Sequence, residues 1–295
     1  MQLVQGGCDI EHVMQFRPDA GSELLRRELA SIYRCDLSLL CSQTEREILE
    51  RDYGVPASKL GLASFWYPPP AKDRWAGHRG RVNFCTIGTY RHPPNADAVR
   101  WLAEEVWPRI REKEPEAQMD CYGSYLDKET SRLSDVGSMF HVKGPMKQLS
   151  TLGKYRILLA PLRFGAGIKG KILDAWMHGL PVVTTPVGSE GLEASGATWG
   201  GLCSATTAEE LAHDAVELYR NTALWEQAQE AGFEAMGRMF NLATNARNLD
   251  DLLAGAIEAR EERRATDYVG SLLWHHTARS TEYFSRWIEL KNERQ

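Results

Sequence analysis

Two periodicities run through the chain. Short apolar runs over 81–87, 118–122, 140–142, 156–162 and 181–185 have strand length, and apolar residues recur between them at helical spacing. The central pattern predicts a strand over 156–162, a turn with three glycines over 164–170, and a helix carrying Ile172, Ala175 and Trp176 on one face. A stop at Gly179 and a buried strand over 181–185 follow. Upstream, a strand over 81–87 and a loop over 88–95 lead into a helix whose face is Val99, Leu102, Val106 and Ile110. Helices over 127–133 and from Met146 continue the alternation. Such an order predicts an α/β fold, with a Rossmann-like parallel sheet covered on both faces and ligands at the carboxyl ends of its strands. Those ends are the loops at 88–95, 123–125, 143–146, 163–170 and 186–191.

The flanks read differently. Helices over 22–33 and 42–52 and strands over 36–41 and 59–64 are too few for a complete domain of this type, so 1–65 reads as the end of something larger, a partial second α/β unit. Ser42 with Glu45 fits a capping box. Residues 66–80, with three consecutive prolines, have a linker's composition. The main domain is expected over 81–264, almost entirely helical after Thr206. A last helix over 266–292 places Val269, Leu272, Leu273, His276, Tyr283, Phe284, Trp287 and Ile288 on one stripe, so 265–295 is expected to pack back on the N-terminal unit.

Composition narrows the function. At 43% hydrophobic and 25% charged the chain is ordinary for a globular protein, and a net charge of -5 gives no reason to expect nucleic acid as partner. Its six cysteines (Cys8, Cys35, Cys41, Cys85, Cys121, Cys203) lie singly without metal-ligand spacing, which reads as reduced thiols and a cytoplasmic setting. No apolar run approaches the ~18 residues of a spanning helix, so no transmembrane segment is expected.

The chemistry concentrates in Phe164–Lys171. A glycine-rich turn between a strand and a helix start offers backbone amides and a helix N-terminus to an anion. Gly165 to Lys171 also fits G-x-x-x-x-G-K, the opening of a P-loop. Ile172 stands where that motif needs a hydroxyl for magnesium, and no strand ends in the acidic partner, which leaves a P-loop phosphotransferase as a remote alternative. Lys171 and Asp174 share a helical face, one suited to a phosphate and the other to a ribose diol.

The segments IGTYRHPPNADAVRWL, CYGSY, VKGPMKQL, LAPLRFGAGIKGKILDAWMHGLPVVTTPVGSEGL and RRELASIYRCDLSLLCSQTEREIL together resemble the donor-binding half of GT-B fold glycosyltransferases, in particular glycosyltransferase family four. The resemblance covers roughly 9–192. It implies two Rossmann-like domains, the second holding a UDP- or GDP-linked sugar. It further implies transfer of a hexose without a metal or other cofactor, with retained anomeric configuration, to a glycan, lipid or small-molecule acceptor.

Position by position, the resemblance puts Gly88, Tyr90, Arg91 and His92 beside the donor phosphates. It gives Gly165, Ala166 and Gly167 backbone amides facing the diphosphate and sugar. Lys169 or Lys171, with Arg163 behind, offset charge on the leaving group. Asp174 stands where the family's second glutamate binds the ribose, Ala166 stands at the first, and Glu190 approaches the sugar or ribose. Residues 1–65 then correspond to a remnant of the acceptor-side domain, where His12, in Cys8-Asp9-Ile10-Glu11-His12, is the one remaining acid, base or sugar ligand. Such a remnant implies weak or no transfer by the chain alone. The rival from another class is a non-catalytic nucleotide-sugar-binding module completed by a partner chain.

Blander roles compete at several positions. Asn95, after two prolines, reads as a helix N-cap. Arg91 and His92 could solvate a loop, and Asp174 could complement a helix dipole. His178 and the His275-His276 pair read as surface or packing residues.

Overall fold

The computed structural model describes residues 23–192 and 199–293. They form two compact units, one of Phe65–Leu242 and the other of 23–64 with 243–293.

In the smaller unit, α1 (Glu23–Arg34), β1 (Ser38–Leu40), α2 (Gln43–Tyr53) and β2 (Leu60–Leu62) form two α/β repeats. β1 and β2 pair in parallel, Ser38 opposite Leu60. Ser42 has the extended backbone of an N-cap, but its hydroxyl makes no capping bond. That oxygen is buried without a hydrogen-bond partner, which corrects the expected capping box. The helix stops at Gly54, whose φ of 63° suits a residue without a Cβ.

The larger unit begins at the proline-rich stretch, which is fastened down. The Tyr67 amide donates to Phe240 O at 2.8 Å, and the buried Arg81 guanidinium donates to the carbonyls of Ala76 and His178, each at 2.8 Å. There follow β3 (Val82–Ile87), α3 (Pro93–Trp101), α4 (Trp107–Lys113), β4 (Met119–Tyr122), α5 (Lys128–Ser131), β5 (Phe140–Lys143), β6 (Tyr155–Ala160), α6 (Gly170–Met177), β7 (Val182–Thr184), α7 (Pro186–Ser189), β8 (Gly201–Leu202), α8 (Ala208–Arg220) and α9 (Thr222–Met239). A π-helical turn, Leu102–Val106, joins α3 to α4 just before Pro108, which has no N–H to give. The helix expected from Met146 starts later, as a 3-10 helix over Leu149–Lys154.

The six strands are all parallel, in the order β5-β4-β3-β6-β7-β8. One core layer packs Val99, Leu102, Val106, Trp107 and Ile110 with Leu211 and Leu218 against Phe84, Met119 and Ile157. On the other, Ile172, Leu173, Trp176, Met236 and Phe240 cover Cys85, Leu158 and Val182. Burying these side chains supplies the drive that holds helices to both sheet faces. The predicted apolar faces of α3–α4 and α6 are the buried ones.

After Leu242 the chain continues as α10 (Leu242–Glu258), α11 (Arg260–Thr266) and α12 (Tyr268–Glu293), which belong with the smaller unit. Arg264 pairs with Asp36 at 2.6 Å and Lys59 with Asp267 at 2.7 Å. A Cβ on Gly270 would stand 2.7 Å from Tyr33 O, so only glycine lets α12 lie this close to α1. The C-terminal helix packs on the N-terminal one as expected, but through Gly270, Trp274 and Thr277, while most of the predicted stripe stays exposed.

Candidate functional site

Strand order locates the site. From β3 the chain builds outward through β4 and β5, then returns across the sheet to build β6, β7 and β8 on the other side. Its direction reverses between β3 and β6, and parallel sheets bind ligands outside the carboxyl ends at such a reversal. The loops that flank it are 88–92 and 161–169.

Asn95 joins the first of these loops to α6. Its amide donates to Thr89 O at 3.1 Å, and its oxygen accepts from Lys171 Nζ at 2.7 Å. Gly88 makes room for it, since a Cβ there would meet Asn95 Nδ2 at 2.8 Å. The N-cap of α3 is His92, so the expected capping role of Asn95 gives way to this bridge.

Lys171, Lys169 and His92 crowd together. Burial, with the Lys169 charge beside it, brings the Lys171 ammonium down to about 8. Burial also lowers His92, helped by the charges of Lys171 and Lys169. Among the described residues no carboxylate pairs with Lys171. The result is a partly desolvated cationic group held in place by a neutral amide, an arrangement that attracts an anion.

The second loop supplies the backbone. Gly165 and Gly167 have φ of 129° and 73°, conformations that side chains rarely adopt, and Ala166 lies between them. Lys169 is buried, donates from Nζ to Gly167 O at 2.6 Å, and occupies the N-cap of α6. Ile172 is fully buried, so no hydroxyl stands where a P-loop would hold magnesium.

Asp174 lies one turn along α6 from Lys171, half-buried. Burial raises its pKa, and His178 pulls the other way. His178 caps α6 and meets Trp75 edge-on at 4.9 Å, a packing role. Glu190, half-buried, follows α7, where Thr185 accepts from the Gly188 amide at 3.1 Å.

Three expected residues act otherwise than as bare ligands. Arg163 forks onto Asp97, with Nε 2.9 Å from Oδ2 and a second bond to Oδ1, and lies over Trp101 at 5.3 Å. Its charge is thereby answered within the protein. Tyr90 is buried, its hydroxyl reaching the carbonyls of Cys121 at 2.7 Å and Lys143 at 2.9 Å, so it props the loop from below. Arg91 is exposed and stacks on Tyr125 at 5.7 Å. His12 lies outside the described residues.

Sequence reasoning missed a polar cluster beneath the β4 and β5 ends. Asp120 accepts from the Tyr155 hydroxyl at 2.5 Å and pairs with Lys143 Nζ at 2.8 Å, and the Tyr122 and Tyr155 hydroxyls lie 2.8 Å apart. Burial, then Asp120, keep the Tyr155 hydroxyl protonated. An acid in mid-strand was the available signal.

Comparison with known proteins agrees with this geometry. Residues 81–221 match the family described as Glycosyl transferases group 1. TarM from S. aureus is similar in structure, at 11% identity and a TM-score of 0.64, over 80% of this chain and 48% of TarM. HepE (Alr3699) from Anabaena is similar at 13% identity and 0.63, over 82% and 69% of the two chains. WaaG, a glycosyltransferase involved in lipopolysaccharide biosynthesis, is similar at 16% identity and 0.59, over 83% and 73%. This chain therefore spans about half the length of TarM, and the likeness shows the GT-B fold. No curated protein matches the chain.

Proposed function

We propose that this chain is a glycosyltransferase that binds a UDP- or GDP-linked hexose at the β3–β6 reversal and passes the sugar to a glycan, lipid or small-molecule acceptor. The observation that carries this reading is Lys171, held by Asn95 and crowded by Lys169 and His92 with no acid against it among the described residues. Cleaving a sugar–diphosphate bond leaves negative charge on the diphosphate, and fixed cations aimed there stabilise the transition state more than the ground state. Lys171 and Lys169 take that role, and the amides around Gly165, Ala166 and Gly167 meet the diphosphate and sugar. Asp174, whose pKa is raised by burial, accepts from the ribose diol.

Support comes also from the neighbours, since the TarM structure contains UDP and the HepE structure contains UDP and glucose. The charge stabilisation comes from the protein, so the reaction proceeds without a metal, and we take the anomeric configuration to be retained. Cys35, Cys41, Cys85 and Cys121 are free thiols, in keeping with action in the cytoplasm. The test is incubation with UDP- and GDP-hexoses in EDTA, followed by NMR of the released sugar. Slow release of the retained anomer supports the proposal, and absence of both release and binding overturns it.

A further inference from the structure

α12 presents three faces. The first packs on α1 through Gly270, through Trp274 Nε1 donating to Arg34 O at 2.8 Å, and through Arg34 donating to Thr277 Oγ1 at 2.9 Å. These contacts end at Thr277. From 278 to 292 every residue is exposed, a stretch of about 22 Å at helical rise.

The second face, at three- and four-residue spacing, carries Val269, Leu272, Tyr283, Phe284, Trp287 and Leu290, each between 42% and 61% exposed. Cations are built into it. Arg279 lies 5.4 Å from the Tyr283 ring and donates to its hydroxyl at 2.7 Å, Phe284 and Trp287 stack at 6.0 Å, and Lys291 sits 5.1 Å over Trp287. The third face holds the acids Glu282 and Glu289, turned away from the aromatics. Arg286 stands at the border and pairs with Glu282 at 2.6 Å.

This segregation of charge names the occupant. In a chain of net charge -5, Arg279 and Lys291 lie on this exposed aromatic stripe, and Glu282 and Glu289 lie off it. Tyr and Trp favour the boundary between headgroups and acyl chains, where Arg and Lys stems extend toward phosphate. A second copy laid on the same face would set cations against cations. No described helix is long and apolar enough to cross a membrane, so α12 would lie along the surface. We propose that the Val269–Lys291 face of α12 docks the protein on an anionic phospholipid bilayer.

Flotation of the full chain with vesicles of phosphatidylcholine, alone or with about a third phosphatidylglycerol, tests this. The chain is expected to float with the anionic vesicles, and Phe284→Ser/Trp287→Ser to lose at least about tenfold in partitioning. Arg279→Glu/Lys291→Glu is expected to lose the preference for phosphatidylglycerol. All four positions are exposed, and unchanged circular dichroism confirms that the variants fold. Failure of the unaltered chain to float, or equal flotation of Phe284→Ser/Trp287→Ser, overturns the proposal. So does a dimer that this variant converts to monomer while neither protein floats, which would assign the face to a second copy.

Discussion

Asn95 Oδ1 accepts a hydrogen bond from Lys171 Nζ at 2.7 Å across 76 positions of sequence, and so sets where the central cation points. A neutral acceptor does this without cancelling the charge, as a carboxylate would.

Removing the acceptor should therefore weaken ligand binding while sparing the fold. Asn95→Ala is expected to bind UDP or GDP about tenfold more weakly, the magnitude of one hydrogen bond to a charged group. Gly88→Ala should mimic it, because the added methyl group pushes on Asn95. Calorimetric titration of both variants checks this, and normal affinity in either would separate Asn95 from the site.

The depressed Lys171 pKa fixes two opposite pH trends. Unfolded, the lysine titrates near 10.5, and folded near 8. Between those values the unfolded chain holds more protons, so ligand-free stability rises with pH across that window, while below about 8 the cost of the buried ammonium is fully present. Diphosphate affinity falls over the same window as the ammonium discharges. Lys171→Met should remove both trends and raise Tm by a few degrees while abolishing binding. Denaturation and titration from pH 7 to 10.5 are the measurements.

Arg163 separates bracing from catalysis. Its fork onto Asp97 predicts that Arg163→Ala or Asp97→Ala costs about 1–2 kcal/mol of stability, reduced by solvent because the arginine side chain is 41% exposed. Diphosphate affinity should change by less than about twofold if the guanidinium acts only on the fold. Arg163→Lys should not restore stability, since an ammonium cannot make the planar fork. A large loss of affinity at unchanged Tm would return Arg163 to the binding machinery.

Gly188 should tolerate no side chain. A Cβ there would fall 1.8 Å from Thr184 Oγ1, so Gly188→Ala is expected to destabilise by at least about 2 kcal/mol. Adding Thr184→Ala should recover part of the loss, which a double-mutant cycle by urea denaturation measures.

Much of the fold was legible because it rests on local period. Val99, Leu102, Val106 and Ile110 announced α3 and α4, and Gly179, with φ of 60°, announced the end of α6. β8 escaped notice because two residues, Gly201 and Leu202, show no period. The glycine turn and its lysines were visible for the same local reason. Partners distant in sequence were not: nothing near Asn95 points to Lys171, nothing near Arg163 to Asp97, and Tyr90 looks like a ligand until burial shows it as a prop.

The central claim is that Lys171 anchors a diphosphate without the help of a metal. Calorimetric titration of UDP and GDP in EDTA, into the unaltered chain and into Lys171→Ala, tests it directly. The account predicts saturable binding of at least one nucleotide and a loss of at least about tenfold in the variant. Equal affinity in the two proteins, or binding that appears only when magnesium is restored, would contradict it.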